Sequence, residues 1–274
     1  MKYLAYHFTV SPPQPGSDIL IALIEDRGFE SFDFTETGFT AYMPDTVADK
    51  IDLSDLHFED FKFSYDIEKI AESNWNSEWE KNFEAVVVDD LLCIRAPFHE
   101  KNTLVKYEIV IMPKMSFGTG HHQTTRLMCK TMSTLDLKGK RILDMGTGTG
   151  ILAIFAKQLG AKEVLGIDID EWSVENAIEN CASNKFPYIL LKKGDIDLLE
   201  NESVFDVILA NINKNILKSH LPVYFYKLKP GGKLLLSGFF TTDTAELQQL
   251  GESLGLKLIS ISNENEWAMM LLGR

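Results

Sequence analysis

One twelve-residue segment constrains this chain more than any other, because it joins a buried strand, a glycine turn and the start of a helix. It reads Arg-Ile-Leu-Asp-Met-Gly-Thr-Gly-Thr-Gly-Ile-Leu over residues 141–152. Gly146, Gly148 and Gly150 allow a sharp turn, a ligand in contact with the backbone, and a helix packed closely on the strand. The next predicted strand ends in Asp168, whose carboxylate can accept both hydroxyls of a ribose. The two strands together predict a site for a nucleoside cofactor.

The spacing of the glycines distinguishes between nucleoside cofactors. A dinucleotide fingerprint, G-x-G-x-x-G, has its third glycine one residue later, where this chain has Ile151. The pattern Asp-x-Gly-x-Gly-x-Gly instead resembles the first motif of the class I S-adenosylmethionine methyltransferases, whose cofactor carries no phosphate. That resemblance implies that Asp144 lies near the methionine end of the cofactor. A nicotinamide-dependent enzyme is the disfavoured alternative.

Charge and composition restrict the partners of the chain. The formal net charge is −13, and residues 1–80 carry 17 acidic and five basic side chains against 23 and 22 in the remainder. This balance argues against unaided binding to nucleic acid. The acidic first third is either a solubilising surface or a means of attracting a strongly basic partner.

Segments that would imply secretion, a membrane or a metal are not evident in the sequence. There is no run of 18 apolar residues, and the N-terminus lacks the long apolar core of a signal peptide, so we expect a cytoplasmic protein and no membrane partner. Cys93, Cys129 and Cys181 are far apart and odd in number, which favours small core residues over disulfides or a zinc site. His121 and His122 are adjacent rather than spaced for one helical face, so no metal is predicted.

The first third of the chain predicts a small α/β domain. Its candidate elements follow the order β-α-β-β-α-β, which is that of a ferredoxin-like fold with helices on one face of a sheet. They are residues 3–10, 17–27 with Ser17 as N-cap, 31–34, 39–43, 46–51 and 58–64. We assign residues 1–66 to this domain. Residues 67–83, with Trp75, Trp79 and Phe83 at helical spacing, predict a helical linker.

Residues 84–274 predict a second domain. Two strands, residues 85–97 and 105–112, come first. From Leu137 onward strands and helices alternate, which predicts a mainly parallel, doubly wound Rossmann-like sheet covered on both faces. The predicted strands are 141–144, 163–168, 188–192, 204–210, 233–239 and 256–262, and the predicted helices are 151–159, 172–183, 216–228 and 244–254.

Polar residues follow several of these strands, where ligands bind in a doubly wound sheet. Asp195 can accept a hydrogen bond from the adenine amino group, or it can simply cap a turn. Asn211 can accept a hydrogen bond from an attacking amine and orient its lone pair without carrying charge. Upstream, Phe117 lies in a glycine-containing loop, where it either stacks on a flat ring or anchors the loop in the core. We interpret that loop as a mobile gate.

The chain resembles the PrmA family, the methyltransferases of ribosomal protein L11. The motifs that carry the resemblance are Phe-Gly-Thr-Gly-His-His-Gln-Thr-Thr at 117–125, the glycine segment, Gly-Ile-Asp-Ile-Asp at 166–170, Ala-Asn-Ile at 210–212 and Leu-Lys-Pro-Gly-Gly at 228–232. It covers residues 75–274 well and rests on length and element order before that. It implies an N-terminal ferredoxin-like domain that holds the substrate, a flexible linker and a catalytic domain that binds S-adenosyl-L-methionine.

By motif position, the resemblance implies cofactor contacts at Thr125, Gly146, Asp168 and Asn211, with Phe117 gating the site. It also implies methylation of lysine ε-amines and an N-terminal α-amine, up to trimethylation, on L11. The chain departs from many members of the family at His121-His122-Gln123, where they have Thr-His-Pro, and at Gly-Thr-Gly-Thr-Gly, where they have Gly-Cys-Gly-Ser-Gly.

Other functions remain open at this point. One is methylation of an RNA base or a small molecule, although Ile-Asn-Lys after Asn211 replaces the Pro-Pro-aromatic of many base-amino methyltransferases. Another is a non-catalytic scaffold that binds the cofactor without transferring its methyl group. A monomer is the expected oligomeric state.

Overall fold

The computed structural model describes residues 3–48, 53, 56–58, 61–70, 83–114 and 116–274. The chain divides into two compact units, residues 1–83 and residues 84–274. Each unit has its own hydrophobic core among the described residues, one cluster in the first unit and two clusters in the second.

The first unit has the predicted ferredoxin-like element order. Its elements are β1 (Tyr3–Ser11), α1 (Pro13–Ile24), β2 (Ser31–Thr35), β3 (Gly38–Pro44), α2 (Asp45–Ala48) and β4 (Lys62–Ile70). The sheet has the order β2-β3-β1-β4 with every neighbouring pair antiparallel. Alternate residues of β1, including Tyr6 and Phe8, are buried in the core, whereas His7 between them is exposed. On the opposite face, which we call the open face, His7 and the carboxylates of Asp33, Asp66 and Glu68 are exposed.

Two predictions in the first unit were wrong in their boundaries. Helix α1 is interrupted at Gln14, whose φ of −121° and ψ of 136° are extended, so its continuous part begins after Gln14 rather than after Ser17. Ser17 lies inside α1 and is 1% exposed. Strand β4 begins at Lys62 rather than near Phe58, because the Phe58 ring stacks on that of Phe61 with centroids 4.2 Å apart and packs against the core. Gly28, in the left-handed region with φ of 98°, ends the following 3-10 turn, which agrees with the predicted end of the helical segment at residue 27.

The predicted linker helix over residues 67–83 is wrong at residues 67–70, which the structure describes as strand. Residues 67–70 belong to β4, which pairs with β1 over its whole length up to Tyr3 opposite Ile70. Residues 67–70 form a strand because their backbone pairs with β1, although the side chains of residues 67–83 have helical spacing. Residues 71–82, with Trp75 and Trp79, and residues 49–51 of the predicted second helix lie outside the described residues.

The second unit contains a small sheet and a large one. Its strands are β5 (Val86–Val88), β6 (Leu92–Arg95), β7 (Tyr107–Val110), β8 (Arg141–Met145), β9 (Glu163–Asp168), β10 (Leu190–Lys193), β11 (Phe205–Asn211), β12 (Leu228–Phe240), β13 (Lys257–Glu264) and β14 (Trp267–Gly273). Its helices are α3 (Gln123–Ser133), α4 (Ile151–Gln158), α5 (Glu171–Ser183), α6 (Lys214–Lys227) and α7 (Thr244–Ser253). Short 3-10 turns occupy Ile196–Leu199 and Thr241–Asp243.

The large sheet has the order β10-β9-β8-β11-β12-β14-β13. Its first five strands are parallel, and β14 runs antiparallel between β12 and β13. This arrangement confirms the predicted Rossmann-like sheet and places the carboxyl ends of β8, β9, β10 and β11 along one edge. Two elements were missed, α3 and β14. The predicted strand over residues 85–97 is instead a hairpin, with Asp89 at a positive φ of 49° in its turn.

An asparagine ladder on α5 holds the upstream segment against the main sheet. Asn176 and Asn180 lie on the helix and Asn184 is its C-cap, so the three recur every four residues. Asn180 accepts a hydrogen bond from the Met112 backbone N–H at 2.9 Å, and its own amide donates to the Thr149 carbonyl at 2.9 Å. Because these amides pair with backbone groups as a neighbouring strand would, they fix both loops that approach the carboxyl edge of the sheet.

The cysteines are core residues, as predicted. Cys93, Cys129 and Cys181 are free and buried, and burial raises the pKa of the Cys129 and Cys181 thiols to about 12. No helix within the described ranges is long and apolar enough to cross a membrane.

Candidate functional site

A cleft of about 500 Å³ opens at the carboxyl edge of the large sheet. It lies where a doubly wound fold binds its ligand, beyond the ends of the parallel strands. Six of the residues predicted from the sequence line it, and they come from five separate segments of the chain. They are Phe117, Gly146, Gly148, Asp168, Asp195 and Asn211.

The glycine loop forms the floor of the cleft. Gly146, Gly148 and Gly150 have φ of 75°, 54° and 81°, in the region that favours glycine. A Cβ atom on Gly148 would lie 2.3 Å from the Phe117 carbonyl oxygen, and one on Gly146 would lie 2.2 Å from a methyl carbon of Ile212. The first two glycines are therefore required both by backbone conformation and by the close approach of neighbouring segments.

Asp168 is held by the backbone of the glycine loop. Its Oδ2 accepts the Gly148 N–H at 2.8 Å, and its Oδ1 accepts the Asp170 N–H at 3.1 Å. The side chain is 9% exposed and lines the cleft. Each carboxylate oxygen can accept more than one hydrogen bond, so this fixed carboxylate can still accept a pair of ligand hydroxyls.

The charge of the cleft wall favours a cationic ligand without phosphate. Asp168, Asp170 and Asp195 line it, and lysine and arginine are absent from the described residues that do so. Carboxylates attract a cation and repel a pyrophosphate. S-adenosyl-L-methionine, with its sulfonium and amino groups, fits this wall better than a dinucleotide.

Asn211 presents an unused acceptor at the cleft. It ends β11, where its backbone pairs with Ser237, and it lines the cleft. Its Oδ1 atom is buried and has no hydrogen-bond partner among the described residues. A buried carbonyl oxygen without a partner is unfavourable by about 1–3 kcal/mol, which a ligand N–H donor can recover.

Asp195 caps a turn, which is one of the two roles predicted for it, and its contact with adenine stays a prediction. Its carboxylate caps the short 3-10 turn by accepting the Ile196 N–H at 2.7 Å, and the residue also lines the cleft. Capping and ligand contact are therefore compatible at this position.

Three predicted residues lie behind the cleft wall instead of lining it. Thr125 is fully buried in α3, and Gly150 is the N-cap of α4, packed against Ala177. Asp144 is 1% exposed, and its Oδ2 accepts the Thr147 hydroxyl at 2.7 Å and the Ala153 N–H at 3.1 Å. Desolvation by burial raises the pKa of Asp144 to about 7, opposed by these two hydrogen bonds.

The upstream loop is tied to the glycine loop. Thr149 donates its backbone N–H to the Phe117 carbonyl at 2.9 Å and its hydroxyl to the Gly118 carbonyl at 2.7 Å. The Phe117 side chain is 53% exposed and lines the cleft, so the alternative that it anchors the loop in the core is wrong. Gating by this loop remains a prediction.

The two adjacent histidines have separate partners. The His121 Nε2 lies 3.0 Å from the Glu84 carbonyl oxygen, whereas His122 caps α3 by accepting the Thr124 N–H at 3.3 Å. Burial lowers the pKa of His122. Within the described parts of the chain, no cluster of three His, Cys, Asp or Glu side chains is arranged to hold a metal ion.

His122, His220 and Trp267 are among the residues of the cleft wall that the sequence reasoning missed. His122 and Trp267 form an edge-to-face pair with ring centroids 4.6 Å apart, and His220 lines the cleft from α6. Trp267 begins β14, the strand that was not predicted. The signal available for His220 was its spacing of four residues from Tyr224, which puts both rings on one side of a helix.

Comparison with known proteins agrees with this geometry. The model of the family described as ribosomal protein L11 methyltransferase (PrmA) matches residues 24–274. The ribosomal protein L11 methyltransferase of Phocaeicola vulgatus is 42% identical over 274 residues, covering 98% of each chain. The enzyme of that name from Chlorobaculum parvum is 37% identical, covering 93% of this chain and 91% of its own.

This chain belongs to the ribosomal protein L11 methyltransferase (PrmA) family. The crystal structure of the ribosomal protein L11 methylase from Lactobacillus delbrueckii subsp. bulgaricus superimposes with a TM-score of 0.65 at 28% identity, covering 70% of this chain and 99% of that one. Membership in the PrmA family confirms the predicted class I methyltransferase fold and the predicted cofactor, S-adenosyl-L-methionine.

Proposed function

We propose that this protein transfers methyl groups from S-adenosyl-L-methionine to lysine ε-amines and the N-terminal amine of ribosomal protein L11. The observation that carries the proposal is the unpartnered, buried Oδ1 of Asn211 in a cleft lined by carboxylates and free of lysine and arginine among its described residues. Family membership supports the reaction class and the substrate. The choice of amine follows from the family resemblance, and an uncharged acceptor such as Asn211 is compatible with it.

The side chains of the cleft divide the binding task. When bound, S-adenosyl-L-methionine supplies a methyl group already activated by its sulfonium. Asp168 would accept hydrogen bonds from the ribose hydroxyls, Asp195 would accept one from the adenine amino group, and the backbone of the glycine loop would contact the cofactor. Gly146 and Gly148 line the cleft there. Behind them, Asp144 braces the loop through its bond to Thr147.

The amine that receives the methyl group is mostly protonated in water, whereas Asn211 has to accept a hydrogen bond from its neutral form. A lysine amine has an ordinary pKa of about 10.4, so the cleft must bind its neutral form. A neutral amide oxygen accepts an N–H and aims the lone pair of the nitrogen without stabilising the ammonium, whereas a carboxylate at the same position would raise the pKa of the amine. The uncharged Asn211 suits a reaction in which positioning is the main requirement.

The open face of the first unit is our candidate surface for the basic substrate. Strand pairing aligns Asp33, Thr40, His7 and Asp66 in one row across all four strands, with exposed carboxylates at both edges. Glu68, on the same face, has a side chain that is 69% exposed and contacts His7 at 3.0 Å. Carboxylates spread over an open sheet can attract a lysine-rich surface and raise its rate of association.

The deciding experiment is intact-mass analysis of unmethylated L11 after incubation with the protein and S-adenosyl-L-methionine. We expect methyl-sized increments on L11 and none on other ribosomal proteins.

The Asn211→Ala variant should slow transfer by about tenfold or more. Asn211→Asp should also slow transfer and move the optimum to higher pH, because the carboxylate raises the pKa of the amine. Unshifted L11 together with normal cofactor binding would contradict the proposal and favour another acceptor or a scaffold.

Substrate recognition by the open face has its own test. A triple variant, Asp33→Asn, Asp66→Asn and Glu68→Gln, should raise the KM for L11 by about threefold or more, leave kcat unchanged and weaken the dependence of KM on salt. The control neutralises Asp18, Glu25 and Asp26, which lie on α1 and the 3-10 turn after it. Equal effects of the two triple variants would show that only total charge matters.

As part of the same proposal, the protein acts in the cytoplasm as a monomer that binds no nucleic acid directly.

A further inference from the structure

A buried histidine–tyrosine pair lies behind Asp195, at one side of the cleft. His220, on α6, has a side chain that is 7% exposed, and its Nε2 lies 3.4 Å from Asp195 Oδ1. Its Nδ1 lies 3.2 Å from the Tyr224 hydroxyl, one helical turn further along α6. Tyr224 is completely buried. The three side chains form a continuous chain of polar contacts from the core to the cleft wall.

The two contacts of His220 indicate which ring nitrogen carries its proton. Burial raises the pKa of Tyr224, so its hydroxyl stays protonated and can donate a hydrogen bond to His220 Nδ1. Because the Asp195 carboxylate can only accept, we assign the donor role to Nε2 and the acceptor role to Nδ1. Burial also lowers the pKa of His220, although Asp195 and Asp197 oppose this effect. A neutral imidazole carries one proton, and with Nδ1 accepting from Tyr224 that proton is on Nε2. The Nε2–H therefore faces the Asp195 carboxylate.

The carboxylate of Asp195 is held through one of its oxygens. Oδ1 accepts the Ile196 N–H at 2.7 Å and faces His220 Nε2 at 3.4 Å. The contacts described for this carboxylate therefore leave Oδ2 for a ligand. Because Asp195 is exposed and lines the cleft, an unrestrained carboxylate here would rotate freely in solvent. The hydrogen bond from the Ile196 N–H and the polar contact with His220 Nε2 involve the same oxygen and restrict that rotation.

We propose that His220, oriented by Tyr224, is a positioning residue that fixes Asp195 so that its free oxygen accepts a hydrogen bond from the exocyclic amino group of a purine. The cleft then selects a 6-aminopurine over a 6-oxopurine, because a 6-oxo group would bring a second acceptor against the carboxylate. This inference rests on the proposed assignment of the cleft to an adenosyl cofactor and adds the residues that determine its base specificity.

The test measures binding of S-adenosylhomocysteine and its 6-oxo analogue, S-inosylhomocysteine, to the full-length protein by isothermal titration calorimetry. For the wild type we expect a preference of about tenfold or more for the amino ligand, since a site built around a hydrogen bond rejects a ligand that cannot make it. Tyr224→Phe and His220→Leu should each reduce this preference about threefold or more while leaving the affinity for the 6-oxo ligand unchanged. His220→Gln, which keeps a donor near Asp195, should retain part of it.

The controls separate positioning from general damage to the fold. Tyr226→Phe removes a hydroxyl from the same helix at a side chain that is 70% exposed, and it should behave as the wild type. Asp195→Asn should abolish or reverse the preference, because an amide can donate to a 6-oxo group. Equal loss of affinity for both ligands in the Tyr224 and His220 variants would assign the pair a purely structural role and overturn the proposal. If the wild type binds neither ligand, the adenosyl site itself fails and this inference fails with it.

Discussion

At the scale of single residues, two aspartates at the ends of neighbouring strands show how burial separates chemical roles. Asp168 lines the cleft, and both its oxygens accept backbone N–H groups. Asp144 lies behind the glycine loop, and its Oδ1 is buried with no hydrogen-bond partner among the described residues. The same residue type is thus a candidate ligand contact at the end of β9 and a buried brace at the end of β8.

Asp168→Asn should weaken binding of S-adenosylhomocysteine by about tenfold or more, because the amide replaces one acceptor oxygen with a donor that faces the Gly148 N–H or the ribose. Calorimetric titration measures the loss. Glu163→Gln is the matched control at the opposite end of β9, where the side chain is 57% exposed and pairs with Arg141. An unchanged affinity in Asp168→Asn would remove this carboxylate from the proposed site.

Asp144 should make the folded protein less stable as pH rises. Its folded pKa is raised from 3.8 to about 7, so between these values the folded state binds more protons than the unfolded state. Stability from this group is therefore present at low pH and is lost as pH rises through that window. Chemical denaturation at about pH 5 and about pH 8 should show a smaller decline in unfolding free energy for Asp144→Asn than for the wild type. Parallel declines would contradict the raised pKa.

At the scale of elements, the site depends on loops that interlock. The Phe117 carbonyl oxygen occupies the space where Gly148 lacks a side chain, and Thr149 bonds to the same upstream loop. Asn180 then ties the glycine loop to the segment after β7. The cleft floor is consequently one unit made of three segments that are far apart in sequence.

Gly148→Ala should separate these loops, because its Cβ would lie 2.3 Å from the Phe117 carbonyl oxygen. We expect a loss of about 2–3 kcal/mol in unfolding free energy and a large loss of cofactor affinity. Gly139→Ala is the matched control: Gly139 also has a positive φ, 74°, but no atom lies within 4 Å of the added Cβ. If both variants lose the same stability, backbone strain alone explains the requirement for glycine at 148.

At the scale of the whole molecule, the excess negative charge and the cleft lie in different units. Most of the excess negative charge lies in residues 1–80, whereas the cleft belongs entirely to the unit of residues 84–274. Each unit has its own core among the described residues, so neither depends on the other for its hydrophobic interior. This division is compatible with our proposal that the first unit recognises the substrate.

Removal of residues 1–83 should leave binding of S-adenosylhomocysteine within about twofold of the full-length value and eliminate methyl transfer to L11. The cut belongs after residue 83 rather than at residue 66, because β4 continues to Ile70. Calorimetry and intact-mass analysis measure the two properties on one preparation. Transfer to L11 at the full-length rate would exclude a recognition role for the first unit.

Local chemistry was enough to predict most of the framework. The strand, glycine turn and helix around Gly146, the carboxylate of Asp168 and the alternation after Leu137 are read from neighbouring residues, because turn geometry and hydrophobic periodicity act over a few positions. The ferredoxin-like order of the first unit followed for the same reason. Motif similarity then identified the family, which the comparisons confirmed.

Tertiary structure decided what depends on residues distant in sequence. β14 takes its place between β12 and β13, and residues 67–70 join a sheet, because pairing with an existing strand satisfies backbone groups that no local pattern reveals. Contacts at the cleft also join residues that are distant in sequence: His220 contacts Asp195 across 25 positions, and Thr149 bonds to Gly118 across 31 positions. The sequence by itself determined which residues could bind a nucleoside cofactor, and only folding decided which of them line one cleft and which brace it from behind.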